Sequence, residues 1–395
     1  MVRHRARHSS RRVGPTPASL PLRLLHVVVQ AGPTNSQWNE HCLPVADDRQ
    51  LSVCSLLPAT VEPDPRITRF EGDGTGRGAF AVLRRALREG EYDVVHVHAP
   101  ASASALVLAC AMERRGRSDV VFTLHNSWGN IRPRNRLLAG VAMVAFPAVV
   151  ACSRSAARSV PALLHSLVRP AIDVVPNGVD TDRIDRVLLA SPRRGTGAKA
   201  TARPADRFTV VTVGRLIPIK NQASLLTAFA HTAGPDDQLV IVGEGPLREA
   251  LIRQARELGV AGRVHMPGLL PRDEVYRTLG GADLFVSPSY GEGLPLSVLE
   301  AMAAGLPTVL SDIAPHREIV EQAQVANLVP AGDVAALSVA MARLRDMDRT
   351  ELEQLGSRGR QVVLDGFSLR SMAEGYQVVY SRVSARAVRT TEEVA

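Results

Sequence analysis

Lysine is almost missing from this sequence: of 47 basic residues, all but Lys199 and Lys220 are arginine. Cysteine is scarce too. The four thiols, Cys42, Cys54, Cys110 and Cys152, form no C-x-x-C pair, which excludes a zinc ribbon and a dense disulfide framework and predicts buried free thiols in a reducing compartment. No apolar run reaches the roughly 20 residues that a bilayer requires. The longest, Leu137 to Cys152, is interrupted by Gly140 and Pro147 and reads as a core helix feeding a strand. The first residues lack the apolar stretch of a secretory signal. Together these absences predict a cytoplasmic protein, with peripheral contact at the inner membrane face left open. There is also no helix-turn-helix, aromatic RNA platform or zinc pattern, so no nucleic-acid partner is expected.

The net charge of +8 is unevenly spread. Six arginines and no acidic residue fall within the first 23 positions, leaving 41 basic against 39 acidic residues in the remainder. Residues 1–21 therefore read as a disordered basic tail attached to a nearly neutral body, either a solvated extension or an arm drawn to anionic lipid. With 395 residues and 45% hydrophobic content, two domains are feasible.

One rhythm runs through both halves. Val-, Leu- and Ile-rich runs (Leu22 to Val29, Leu51 to Leu57, Asp93 to His98, Asp119 to His125, Ala148 to Ser153, Ile172 to Val175) alternate with stretches long enough for helices. Continuous apolar strands imply sheets buried on both faces, hence parallel order and ligands beyond the carboxyl ends of the strands. Six further runs follow: Phe208 to Val213, Gln238 to Val242, Arg263 to Met266, Asp283 to Ser287, Thr308 to Leu310 and Val325 to Val329. The predicted fold is α/β, two Rossmann-like doubly wound domains facing across a cleft. The predicted divisions are an N-terminal domain over residues 22–188, a Gly-, Pro- and Arg-containing linker over 189–206 and a C-terminal domain over 207–368. A helix over 369–385 returns to the first domain, and a tail covers 386–395.

Candidate chemistry concentrates after the linker. In GRLIPIKN, Gly214 allows a tight turn at a strand end while Arg215 and Lys220 can reach one anion. A lysine in so arginine-rich a chain suggests a need for a compact ammonium; chance retention on the surface is the alternative. GEGPL at Gly243 to Leu247 is a second strand-to-helix turn, weak by itself. SYGEGLPLSVLEAMAAGLPTV, from Ser289 to Val309, is the strongest element. Gly291 and Gly293 flank Glu292, and Glu300 lies within an apolar helical run, where a carboxylate needs hydrogen-bond partners. Ribose or sugar hydroxyls would serve, as would backbone or an arginine.

In this order and spacing, G-R-x4-K, G-E-G-P-L and the Glu292–Glu300 pair resemble the retaining GT-B glycosyltransferases related to glycogen synthases and phosphatidylinositol mannosyltransferases. DVVHVHAP at Asp93 to Pro100 and VVPNGVD at Val174 to Asp180 agree with that family's first domain. The resemblance implies a donor diphosphate held by Arg215 and Lys220, transferred-sugar hydroxyls held by Glu292 and a ribose held by Glu300. It implies that Gly214 forms the phosphate turn, that Gly291, Gly293 and Leu294 bring backbone to sugar and phosphate, and that Gly268 and Leu269 border the base. It places His98 near the sugar and acceptor. No cofactor and no metal are implied; a nucleotide-diphosphate sugar is the co-substrate, and the acceptor is a sugar, a lipid-linked molecule or a small molecule. A sugar-nucleotide epimerase of similar fold is the alternative enzyme, and a nucleic-acid binder acting through the tail is a weaker one.

His96 and His98 lie two apart on one strand face, with His125 ending the next strand; metal binding is disfavoured because no carboxylate or thiol sits at ligand spacing. Many relatives place G-G-x-E after the first strand, whereas this chain has QAGPTNSQWNEHCLP. Gly32 is expected to make the turn, with Asn35 and Trp38 lining the acceptor side together with His125. EGDGTGRG at Glu71 to Gly78 reads as a mobile loop, and Arg84, Arg85 and Arg88 as an exposed basic helix face.

Overall fold

A computed structural model describes residues 22–46, 49–169, 171–190, 207–321 and 325–394, with residues 387–394 described by backbone alone. The predicted tail over residues 1–21 and linker residues 191–206 lie outside the described residues.

Short β-branched runs pair into two sheets, every pairing parallel. The first contains β1 (Arg23–Val28), β2 (Gln50–Ser55), β3 (Ile67–Glu71), β4 (Val94–Val97), β5 (Val120–Leu124), β6 (Ala148–Ala151) and β7 (Asp173–Val174). Its spatial order is β3-β2-β1-β4-β5-β6-β7. The second contains β8 (Thr209–Val213), β9 (Gln238–Val242), β10 (Val264–Gly268), β11 (Leu284–Ser287), β12 (Thr308–Ser311) and β13 (Ala326–Val329), in the order β10-β9-β8-β11-β12-β13. Both sheets change direction between their first and fourth strands, which opens a crevice at the carboxyl ends of those strands.

Helices cover both faces of each sheet, which is why β4, β5, β6, β11 and β12 are buried at every residue. Around the first sheet lie α1 (Gly76–Glu89), α2 (Pro100–Met112), α3 (Pro133–Ala145), α4 (Arg154–Arg158) and α5 (Ala162–Leu167), followed by α6 (Thr181–Ala190). The second half adds α7 (Gln222–Thr232), α8 (Arg248–Glu257), α9 (Arg272–Gly280), α10 (Leu296–Ala303) and α11 (Ala314–Val320). It closes with α12 (Val334–Arg345), α13 (Arg349–Gly366) and α14 (Leu369–Val394).

The two bodies exchange their closing helices. Met372, Tyr376, Val379, Tyr380 and Val383 form one stripe of α14, buried on the first sheet against Leu24, Val94 and Val121. Burial of each such aliphatic side chain is worth roughly 1.5–3 kcal/mol. Conversely, α6 leaves the first body: Ile184 and Val187 join the second core with Tyr276 and Leu299. Asp185 pairs with Arg360, 2.7 Å. A boundary after residue 188 thus falls inside a helix already packed on the second body. The closing helix also runs on to Val394, beyond the predicted end at 385.

Other local expectations are corrected. ITRFE became β3 although Arg69 and two exposed positions interrupt its apolar pattern; its place at the sheet edge removes the need for a continuous apolar run. The Glu71 to Gly78 run is built rather than looped. Glu71 ends β3, the Gly72 amide donates to the Ser55 carbonyl at 3.0 Å, and Thr75 caps α1 by accepting from the Gly78 amide at 2.9 Å. The basic face of α1 is partly committed: Arg84 pairs with Glu113, and Arg85 stacks over Phe70 at 5.6 Å. All four cysteines are free and buried.

Candidate active site

The crevice of the second sheet is built from the turns after β8 and β11. Lys220 closes the first turn with its stem over Gly214, where a Cβ would meet the Lys220 Cε at 3.6 Å. Its ammonium donates to both carboxylate oxygens of Glu292, at 2.7 and 2.9 Å. The lysine is one-fifth exposed and the glutamate nearly buried, so each charge is held largely out of water by its partner. The two turns are bolted together: the Tyr290 amide donates to the Ile219 carbonyl at 2.8 Å, and the Asn221 side-chain amide donates to the Pro288 carbonyl at 3.2 Å. Asn221 has φ 53°, a left-handed conformation that asparagine tolerates better than most residues. Arg215 opens the same turn and is exposed.

GEGPL packs directly against this turn. Gly243 and Gly245 have φ 138° and 159°, and Cβ atoms there would lie 2.0 Å from the Gly214 carbonyl oxygen and 2.4 Å from that of Leu216. Glycine is required for that approach. Next in the row is Gly268 (φ 84°), whose carbonyl accepts from the Gly243 amide at 2.9 Å. Leu269 is exposed beside it. Gly214, Gly243 and Gly268 thus line up along the carboxyl edge of the sheet.

The loop after β11 faces the first body. A Cβ at Gly293 would lie 2.1 Å from the His125 carbonyl oxygen, and one at Gly291 would lie 2.7 Å from the Asn130 side chain. The Glu292 carbonyl accepts from Ser127 Oγ at 2.8 Å and Asn130 Nδ2 at 3.2 Å. The Gly293 carbonyl accepts from Ser153 Oγ at 3.1 Å, and the Leu294 carbonyl from Asn177 Nδ2 at 3.4 Å. Close contact between the bodies is therefore a sufficient reason for both glycines. The Leu294 side chain is buried in the second core.

Glu300, on α10, is also buried, and desolvation raises its carboxyl against the opposing pull of Arg272. Arg272, at the start of α9, donates to Glu300 Oε1 at 2.7 Å and also pairs with Glu40 of the first body. The arginine alternative for Glu300 is the one present here. Neither Glu40 nor Arg272 was singled out in the sequence. Arg272 is one of 45 arginines, and Glu40 sits inside a loop that departs from the relatives' pattern.

The crevice of the first sheet holds five histidines. Register pairs His26 on β1 with His96 on β4, and His98, His125 and His41 gather around them. His26 Nδ1 meets His98 Nε2 at 3.0 Å, and His98 Nδ1 meets His125 Nε2 at 3.0 Å. Each contact needs one proton, which neutral rings supply. Burial holds them neutral, lowering His26 to about 3 and His125 to about 4 and pushing His41, His96 and His98 well down. His96 uses both nitrogens, with Tyr380 and Thr123 at 2.7 Å each.

Two triads, His26–His96–His98 and His41–His98–His125, bring ligand atoms within 4.8 Å of one another. Sequence spacing missed His26 and His41 as potential ligands because they come from other elements. Set against a cation are the hydrogen bonds that His96, His98 and His125 already make and the absence of a carboxylate from either triad.

The acceptor-side candidates separate. His125 borders the contact with Gly293. Trp38 is 3% exposed and packs with Val28, Ala31 and Cys42, so it supports the core rather than lining the cleft. Asn35 is spent on the local turn, its Oδ1 accepting from the Trp38 amide at 3.0 Å. Gly32 starts that turn, its carbonyl accepting from the Asn35 amide at 3.1 Å.

Comparison with known proteins agrees with this architecture. Residues 195–362 match the family described as Glycosyl transferases group 1, and residues 52–183 match Glycosyltransferase Family 4. The chain is 30% identical over 297 residues to a GDP-mannose-dependent alpha-(1-6)-phosphatidylinositol monomannoside mannosyltransferase of Mycobacterium tuberculosis, covering 71% of this chain and 74% of that one. It is 31% identical over 276 residues to 2-deoxystreptamine N-acetyl-D-glucosaminyltransferase of Streptomyces fradiae, covering 66% and 64% respectively. Its fold matches Anabaena HepE in complex with UDP and glucose, with TM-score 0.71, 18% identity and coverage of 91% of this chain and 100% of that one. Sucrose-phosphate synthase of Thermosynechococcus elongatus matches with TM-score 0.72, 19% identity and coverage of 92% and 99%. Two parallel doubly wound bodies, an ion pair in the crevice of the second and this degree of similarity lead to one conclusion: the chain belongs to the group 1 glycosyl transferases and has their GT-B fold.

Proposed function

We propose that the protein is a retaining, metal-independent glycosyltransferase that moves a sugar from a nucleotide-diphosphate donor to an acceptor hydroxyl in polysaccharide, glycolipid or other glycoconjugate synthesis. The observation that carries this reading is the Lys220–Glu292 pair at the mouth of the second crevice, beneath a carbonyl held by the first body. Without donor the two charges satisfy each other. With donor, Lys220 and Arg215 neutralise the diphosphate, and Glu292 is left to accept from sugar hydroxyls. Glu300 takes the ribose hydroxyls in exchange for part of its bond with Arg272.

As the bond from the anomeric carbon to the leaving phosphate oxygen breaks, negative charge develops on that phosphate, where fixed cations lower the barrier most. The acceptor oxygen bonds on the same face, and its proton passes to the departing phosphate. His98 and His125, held neutral, border the reacting sugar. The basic side chains and the amides at the start of α10 supply the charge stabilisation that a cation would otherwise give. The acceptor is a sugar, a lipid-linked molecule or a small molecule, and the enzyme works in the cytoplasm with contact at the inner membrane face.

Melting-temperature shifts with uridine, guanosine and adenosine diphosphate sugars identify the donor, and nucleotide release with and without acceptors measures transfer. Acceptor-dependent release in the presence of EDTA, with the donor's anomeric configuration kept in the product, is expected. An epimerised sugar without acceptor would replace this reading with the epimerase.

A further inference from the structure

We propose that the outer surface of α2, α3 and α5 is a docking face for an anionic phospholipid bilayer. This deepens the membrane contact proposed above and does not depend on the transfer chemistry. Each helix presents an apolar stripe to solvent at one-turn spacing: Leu108 and Met112 on α2, Leu137, Val141 and Val144 on α3, and Leu163 and Leu167 on α5. Leu137 is 72% exposed and Leu163 77%; the other five are about half exposed.

The stripes adjoin one another. Ser104 Oγ donates to the Leu138 carbonyl at 3.0 Å, joining α2 to α3. Gly140 lies so close to α5 that a Cβ there would meet the Leu164 side chain at 3.7 Å. Along α3 and α5 runs a groove of about 740 Å³ lined by Trp128, Val141, Val144 and Leu164 together with Arg117 and Arg136, the Arg136 guanidinium donating to the Ile131 and Gly129 carbonyls at 2.8 and 2.6 Å. Large exposed apolar residues of the second body, such as Leu269, Leu328 and Val339, belong to separate elements instead, as is usual for isolated surface residues.

Charge selects the occupant. Residues 100–169 contain nine arginines and only two acidic residues. Both acids are engaged by arginine, Glu113 by Arg84 and Asp119 by Arg115. An apolar face in a one-sign arginine setting repels a second copy of itself. An anionic bilayer offers both halves of the complement: hydrocarbon for the stripes and phosphate for exposed arginines such as Arg114, Arg117, Arg132 and Arg134. The face also reaches the cleft through one loop. Trp128 lies in the groove, while Ser127 and Asn130 hold the Glu292 carbonyl. An acceptor carried at headgroup level would thus lie beside the sugar site.

The test is flotation of the full chain with vesicles of mixed phosphatidylglycerol and phosphatidylcholine, compared with phosphatidylcholine alone. The wild type should float with the anionic vesicles and not with the neutral ones. Combining Leu137→Ser, Val141→Ser and Leu163→Ser should weaken partitioning by about tenfold or more, with an unchanged melting temperature as the folding control. Replacing Arg3, Arg5, Arg7, Arg11 and Arg12 with serine should leave most of it. Undiminished flotation of the triple variant would overturn the proposal, as would complete loss in the tail variant or a wild-type dimer that the triple variant makes monomeric. Donor-induced melting shifts are read on the same proteins; their absence counts against the transferase reading alone, and absence of flotation counts against this one alone.

Discussion

The two crevices occupy the same topological position and hold opposite chemistry. At the first, between β1 and β4, five imidazoles are packed under Tyr376 and Tyr380, and burial keeps them uncharged. At the second, between β8 and β11, an ammonium and a carboxylate neutralise each other, and another carboxylate, Glu300, is paired with an arginine. Strand order determines where a ligand can enter each body, but the side chains at the strand ends determine what can happen there. A neutral polar pocket suits hydroxyls and protons; a pocket of exchangeable ion pairs suits a charged diphosphate.

The sharpest way to break this contrast is Lys220→Ala, which should reduce transfer by about 10²–10³-fold. Lys220→Arg should recover only part, because a planar fork does not replace a point charge. Steady-state kcat decides it, and a loss smaller than tenfold would remove Lys220 from the chemistry.

A smaller effect is expected where the crevices meet. Gly293→Ala puts a methyl into the His125 carbonyl and should cost about 1–3 kcal/mol through overpacking, seen as a lower melting temperature with reduced activity. Gly214→Ala meets only the flexible Lys220 stem at ordinary contact distance and should change stability little. Equal effects on melting would contradict the close apposition of the two bodies.

The mildest test is pH. The folded chain holds His26 near 3 and His125 near 4, whereas an unfolded imidazole titrates near 6.5. Their stability contribution is complete above about pH 6.5 and is lost as the pH falls, because the unfolded chain takes up protons that the folded one refuses. Each such imidazole adds a slope of about 1.4 kcal/mol per pH unit in that window. Glu300 has the opposite sign, since its raised carboxyl is relieved by acid. Melting temperatures from pH 7.5 down to 4.5 should fall steeply in the wild type and less steeply in His125→Gln. Parallel curves would mean that the first crevice is not held neutral.

Much of this was legible in residue order. Alternating apolar runs and helix-length stretches require parallel sheets wherever strands are buried on both faces, and the GEGPL pattern marks a turn where a Cβ on Gly243 or Gly245 would strike backbone. Edge strand β3 escaped because an edge needs only half the apolar pattern, and Trp38 misled because a loop position does not reveal whether a ring turns inward.

Residue order alone therefore determined the layered fold and the two strand-to-helix turns, since backbone hydrogen bonding and burial periodicity act over short distances, and it singled out Lys220, Glu292 and Glu300 as candidates through a rare lysine and the motif spacing. Tertiary structure decided which groups from separate elements meet. It brought Arg272 between Glu40 and Glu300, added His26 and His41 to the histidines of β4, exchanged α6 and α14 between the bodies and set three apolar stripes side by side among arginines. Such pairings depend on how separate elements pack within a body and, for Arg272, α6 and α14, on how the two bodies close on each other, and spacing within one segment carries no record of either.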